Sequence, residues 1–145
     1  MKKLFVVVAF FLLAGCTKVP PMLSFNESFG PTFPVANDGQ AAVYIVRDVA
    51  SPEAPPVNVT VGGQPIGGLA SLTYMRLNLS PRLWDLRSYG TQANNQLIIT
   101  VAPGQTRFFL AQPAPQDSAE LLELSQEQGR RLVRKSQLVW TPEIN

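Results

Sequence analysis

The stretch VNVTVGGQPIGGL, residues 57–69, carries the clearest signal for the fold of this chain. Valine stands at every second position of residues 57–61 and alternates with Asn or Thr, which is the period of a strand with one buried and one wet face. Gly62 and Gly63 follow, and glycine readily adopts the positive φ angles of a two-residue hairpin turn. The stretch therefore predicts a β-hairpin whose second strand covers residues 64–69.

Short stretches of strand character lie on both sides of this hairpin, separated by turns that contain Pro, Gly or Asn. In chain order they are residues 41–47 (AAVYIVR), 72–79 (LTYMRLNL), 82–89 (RLWDLRSY), 96–101 (QLIITV) and 106–111 (TRFFLA). This spacing favours an all-β sandwich or barrel over βαβ units. In the first stretch, Val43 and Ile45 are expected on one face and Tyr44 and Val46 on the other.

Charged and long-chain residues dominate residues 118–135, and this segment is predicted to be the only helix. Ser125, followed three residues later by Gln128, matches the capping box that begins many helices. The predicted fold is therefore mainly β: a small antiparallel β-sandwich with one short C-terminal helix, occupying residues 40–145.

The N-terminal residues MKKLFVVVAFFLLAGC, 1–16, have the composition of an export signal. Two lysines precede an unbroken apolar run over residues 4–14, which is too short to span a bilayer but suits the h-region of a signal peptide. The run ends in four residues that resemble the lipobox of bacterial lipoproteins: Leu13, Ala14, Gly15 and Cys16. The resemblance implies that residues 1–15 are removed and that Cys16 receives acyl chains.

A lipidated Cys16 is expected to hold the protein at a membrane, because each buried CH₂ of an acyl chain contributes about 0.8 kcal/mol. Thr17 stands where inner-membrane lipoproteins of enteric bacteria carry Asp, so the expected location is the periplasmic face of the outer membrane. Residues 16–39 are rich in proline and lack strand or helix periodicity, which predicts a flexible tether. Its phenylalanines are expected to dock on the protein's own domain or on a partner: Phe25, Phe29 and Phe33.

Charge and composition restrict the classes of function. The chain carries twelve Lys and Arg against ten Asp and Glu, and two of the lysines lie in the segment expected to be removed. The mature protein is therefore predicted to be nearly neutral, without the basic excess of nucleic-acid binders.

The sequence also excludes several catalytic chemistries. It contains no histidine, which excludes Ser-His-Asp triads and zinc sites built on histidine. With Cys16 committed to lipid, no thiolate nucleophile remains. We therefore predict no catalytic residue, no metal and no cofactor besides the covalent lipid, and we do not expect an enzyme.

Several turn and core residues follow one another in a characteristic order along the chain. They comprise Ala42-Val43-Tyr44-Ile45 with Arg47, Gly63 to Gly67, Tyr74, Pro103-Gly104-Gln105, Phe108-Phe109 and Leu124 to Leu132. The order is similar to that of the domain of unknown function 2846, found in small bacterial envelope lipoproteins, over about residues 40–135. The hairpin also resembles small β modules of the PEGA type, with Gly62-Gly63 in place of their usual Asp-Gly turn. These resemblances imply a periplasmic lipoprotein without known catalysis.

Two groups of residues are candidates for binding. The first is a cluster of cations: Arg130, Arg131, Arg134 and Lys135. With Glu127 at helical spacing, the cluster fits a solvated helix face, or a contact with anionic lipid headgroups, peptidoglycan carboxylates or an acidic partner. The second group is aromatic, and its members are expected either in the core or as a stacking surface for a glycan: Tyr74, Trp84 and Tyr89.

The expected function is that of an accessory or scaffold protein that binds a protein partner in the envelope, either by itself or as a subunit of a larger complex. Strand edges and one wet sheet face would be its working surface, because adding a strand to an exposed edge recruits a partner at low cost. The alternative is a module that binds glycan or peptidoglycan fragments at the outer membrane through the three aromatic residues.

Overall fold

The computed structural model describes residues 33, 34, 36, 39–91, 94–139, 141, 143 and 144, and nine strands and one helix lie within them. The strands are β1 Ala41–Arg47, β2 Val57–Val61, β3 Gln64–Leu69, β4 Thr73–Leu79, β5 Leu83–Tyr89, β6 Asn94–Thr100, β7 Thr106–Ala114, β8 Ser118–Leu124 and β9 Gln137–Leu138, and the helix is α1 Gln126–Val133. The strands predicted from the sequence are confirmed, most of them with bounds shifted by one to three residues.

The strands form two sheets that pack against each other. One sheet has the order β8-β7-β1-β4-β9 and the other the order β3-β2-β5-β6. In the larger sheet β1 is antiparallel to β4 but parallel to β7, and β9 is parallel to β4. The other neighbours are antiparallel. The predicted fold class, a mainly β sandwich with one short C-terminal helix, is confirmed, but the larger sheet is mixed and not purely antiparallel as predicted.

Both faces of the central strand β1 are covered, and all seven of its residues are buried. Val43 and Ile45 belong to the core between the two sheets. Tyr44 and Val46 point the opposite way and join a second apolar cluster, on the outer face of the larger sheet. The predicted alternation is confirmed, and the second covered face explains why β1 is apolar almost throughout.

The hairpin of β2 and β3 has the predicted bounds and the predicted turn. Gly62 and Gly63 have φ angles of 57° and 82°, which are the left-handed values of a type I′ turn. The Gly62 N–H also donates to the Asp85 carbonyl oxygen at 2.8 Å. The turn is thus fastened to β5 as well as closed on itself.

The prediction of a helix over residues 118–135 is wrong for its first part. Ser118–Leu124 forms β8, which pairs with β7 from Phe108↔Leu124 to Ala114↔Ser118. This segment buries alternate residues, Ala119 and Leu121, against the core, so the period of two prevails over its helix-forming composition. The predicted capping box is confirmed at the end of β8, where the Gln128 N–H donates to Ser125 Oγ at 3.2 Å.

One cation, Arg47, is buried at the end of β1, and its side chain is 1% exposed. Its Nη1 donates to the carbonyl oxygens of Leu69, at 2.9 Å, and of Pro55. Desolvation by burial lowers the pKa of Arg47 below its ordinary value. Arg47 therefore ties the larger sheet to the end of β3 and to the loop that precedes β2, across the side of the sandwich.

Candidate functional site

Aromatic rings cover the outer face of the larger sheet. Tyr44 and Phe108 are register partners in the parallel pair β1–β7, and their rings stack with centroids 4.9 Å apart. Phe33 lies edge-on to both, at 5.5 Å from Tyr44 and 5.7 Å from Phe108. The expectation that Phe33 docks on its own domain is thus confirmed, whereas Phe25 and Phe29 lie outside the described residues.

Helix α1 packs against the same rings and brings two of the predicted cations to them. A Cβ on Gly129 would lie only 2.1 Å from Phe108 Cγ, so the absence of a side chain there lets the helix approach the sheet. The guanidinium carbons of Arg130 and Arg134 lie 4.9 and 5.8 Å from the centroid of the Phe33 ring. These are distances for cation–π attraction, so both arginines hold Phe33 against the domain.

Arg76 on β4 completes this site, and sequence reasoning missed it. Its Nε donates to Tyr44 Oη at 3.1 Å, and its Nη2 donates to the Pro34 carbonyl oxygen at 3.4 Å. Neighbouring Tyr74 is buried, and its pKa is raised, mainly by desolvation and further by Tyr44, although the positive charge of Arg76 opposes the shift. Tyr74 therefore stays neutral at physiological pH.

The four predicted cations come together at the C-terminal end of α1: Arg130 and Arg131 lie in its last turn, Arg134 is its C-cap, and Lys135 follows. With Glu127 they line one shallow depression, and Arg131, Arg134 and Lys135 are exposed. We call the following five cations, on β4 and at the C-terminal end of α1, the basic face: Arg76, Arg130, Arg131, Arg134 and Lys135. Two of them, Arg130 and Arg131, also lie in the last turn of α1, where positive charge is favourable to the helix dipole.

Within the described residues, the ion pairs lie away from α1. Arg107 holds Glu123 through two hydrogen bonds of 2.8 and 2.6 Å, which lower the pKa of that carboxyl group. Arg87 binds Asp85 on the outer face of the smaller sheet and lowers its pKa. Among the described residues, the cations of the basic face therefore take part in no ion pair.

The three aromatic residues proposed as a stacking surface do not come together. Trp84 is 3% exposed, lies in the core between the sheets, and donates from Nε1 to the Ser80 carbonyl oxygen at 2.9 Å. Tyr74 is buried in the outer-face cluster of the larger sheet. Tyr89 alternates with the inward-facing Ser88 and so lies on the outer face of the smaller sheet. The alternative of one glycan platform does not hold for these rings, because they occupy three different faces, and the expected position in the core is confirmed for Tyr74 and Trp84.

The strand edges of the sandwich differ in how well they are protected. At β3, Pro65 lacks a backbone donor, and a β-bulge lies between Val59 and Thr60 of its partner β2. At β8, the Ala119 carbonyl oxygen accepts hydrogen bonds from Ser88 Oγ and Asn95 Nδ2. At β9 the strand has only two residues.

Strand β6, by contrast, presents a long edge of neutral residues (NNQLIIT). Within the described part of the chain it pairs with β5 alone. The Val101 N–H donates to the Arg82 carbonyl oxygen at 3.2 Å, and because bonded pairs alternate along an antiparallel ladder, residues 96, 98 and 100 direct their backbone groups away from β5. Ile98 is 49% exposed. The order of strands in a sheet depends on tertiary pairing and not on local sequence, so the sequence could not predict that β6 forms an edge.

The predicted export signal, residues 1–15, and Cys16 of the predicted lipobox lie outside the described residues. Within the residues that are described, no helix is long and apolar enough to cross a membrane, and no three His, Cys, Asp or Glu side chains form a metal-binding group. Neither a scan against known protein-family models nor a search of curated proteins found a match to this chain.

Proposed function

We propose that this chain is a lipid-anchored accessory protein of the bacterial envelope that acts by binding a partner protein and not by catalysis. The lipobox at residues 13–16 supports the anchor, and Thr17 supports the periplasmic face of the outer membrane. The observation that carries the binding role is the edge of β6, which offers outward-facing backbone groups on a rigid sheet. The lack of histidine in the sequence further favours binding over hydrolytic chemistry.

In this proposal, an extended segment of the partner adds to β6 as a further strand of the smaller sheet. The backbone N–H and C=O groups of residues 96 and 98 and the N–H of Thr100 supply the hydrogen bonds, whereas the Thr100 carbonyl oxygen already accepts one from Arg107 Nη1 at 3.0 Å. Such main-chain bonds provide affinity with little dependence on side chains. The exposed Ile98 side chain adds apolar contact area on the outer face. Selectivity then comes from the side chains of the partner that lie beside Gln96 and Ile98 on the outer face of β6.

The anchor is tested by replacing Cys16 with serine in the full-length chain. We expect the wild-type protein to remain with membranes after a wash in concentrated salt, which removes proteins held only by charge. The Cys16→Ser protein is expected in the soluble fraction, because it cannot accept acyl chains. Mass spectrometry of the wild-type protein should show an acylated residue 16. A salt-resistant membrane fraction of Cys16→Ser would contradict the anchor.

The binding role is tested by replacing Ile98 with proline. Its N–H points away from β5, so proline removes an outward donor without breaking a bond of the sandwich. We expect the partner recovered by cross-linking and affinity purification from solubilised membranes to bind the Ile98→Pro protein at least about tenfold more weakly, through the lost hydrogen bond and the clash of the ring.

The matched control is Ile98→Ala, which also removes the isoleucine side chain but keeps the N–H. It should retain most of the partner, and both variants should unfold at similar temperatures. If Ile98→Pro folds and binds the partner as well as Ile98→Ala does, the edge of β6 is not the binding surface.

A further inference from the structure

The chain that comes from Cys16 enters the domain beside the basic face. Phe33, the first described residue, lies under the guanidinium groups of Arg130 and Arg134. The next described residue, Pro34, accepts a hydrogen bond from Arg76. The entry point of the chain is therefore held by three cations of the basic face, on the outer side of the larger sheet.

Only sixteen residues separate this entry point from Cys16, on which the lipid is expected. At the root-mean-square dimensions of a flexible linker, a segment of the length of residues 17–33 spans roughly 20 to 25 Å. Membrane anchoring at Cys16 would thus bring the outer face of the larger sheet close to the bilayer at a high effective concentration.

The charges of this face match an anionic surface. Helix α1 and the two residues that follow it carry four cations and one acid, Glu127, and Arg76 on β4 adds a further cation. Three of the four cations at this end of the helix are exposed: Arg131, Arg134 and Lys135. Each cation near an anionic membrane raises the binding constant roughly fivefold. Several cations together therefore make the membrane-bound orientation of the domain a well-populated one.

We propose that the basic face binds the anionic phospholipid headgroups of the membrane in which Cys16 is anchored and so fixes the orientation of the domain. This inference rests on the proposed lipid anchor, which places the bilayer within reach of α1. A bilayer fits better than an acidic protein, because the chain delivers this face to the membrane whatever other partner is present. The edge of β6 belongs to the other sheet and remains accessible from the periplasm.

The test uses residues 17–145, which contain all of the described residues but no Cys16. Flotation is measured with vesicles of phosphatidylethanolamine, with and without phosphatidylglycerol. We expect binding that requires phosphatidylglycerol and weakens as salt is added. The double variant Arg131→Gln/Lys135→Gln, whose residues do not contact Phe33, should bind roughly tenfold to thirtyfold more weakly.

The matched control is Arg82→Gln/Arg87→Gln, which lowers the net charge equally but changes the smaller sheet. It should bind like the unmodified chain. Equal losses in both double variants, or binding that does not depend on phosphatidylglycerol, would overturn the inference. It would also be overturned if Arg131→Gln/Lys135→Gln lost an acidic protein captured by the unmodified chain but bound vesicles normally. Because residues 17–145 lack Cys16, a failure to bind vesicles would not affect the result of the Cys16→Ser fractionation. A failure of the Cys16→Ser fractionation would likewise not affect the vesicle result.

Discussion

Replacing Arg47 with alanine is expected to lower the free energy of unfolding by about 4 kcal/mol. The guanidinium group is a donor to the carbonyl oxygens of Pro55 and Leu69, and both would lose their partner. The removed side chain is also the largest of the fully buried ones, so a cavity would open between β1 and the loop before β2. Urea or thermal unfolding of the domain measures the loss.

A second substitution separates the two causes of this instability. Arg47→Met fills most of the volume but donates no hydrogen bond, and it also removes a charge whose desolvation is unfavourable. We expect it to recover about half of the stability that Arg47→Ala loses. Equal stability of Arg47→Met and the wild-type protein would show that the two hydrogen bonds contribute nothing net.

Replacing Gly129 with alanine is expected to destabilise the domain by about 2 kcal/mol, although alanine is the better helix former by about 1 kcal/mol. The new Cβ would lie 2.1 Å from Phe108 Cγ and 2.3 Å from Phe108 Cβ. Phe108 has little room to yield, because its ring stacks on Tyr44 and supports Phe33. Overpacking therefore outweighs helix propensity, and α1 is pushed off the sheet.

The matched control is Glu127→Ala, at an exposed position of the same helix. It should change the free energy of unfolding by no more than about 0.5 kcal/mol. Circular dichroism during thermal unfolding of both variants measures the difference. A Gly129→Ala protein more stable than the wild type would mean that α1 does not pack on Phe108 as described.

Local patterns were sufficient to predict much of this fold. Alternating apolar residues predicted β1 and the β2–β3 hairpin, and two glycines predicted its turn, because these signals act over a few neighbouring residues. The charged and long-chain residues of 118–124 predict a helix, because leucine and glutamate are good helix formers. Their strand is decided by pairing with β7, which is a tertiary contact.

The candidate site was predictable only in part, for the same reason. The cations of α1 are near one another in sequence, and helical spacing brings them together. Arg76 joins them from β4, and no local signal connects it to Phe33 or to α1. The separation of Tyr74, Trp84 and Tyr89 onto three faces likewise depends on which sheet and which phase each strand adopts.

Because β1 comes first in the domain and occupies the middle of its sheet, that sheet stays incomplete until most of the chain has emerged. Ala42 of β1 pairs with Thr106 of β7, and closing so long a loop slows folding. A high contact order of this kind leaves the nascent chain extended for longer. Such a delay would suit passage through a narrow translocation pore, which the export signal predicted for residues 1–15 requires.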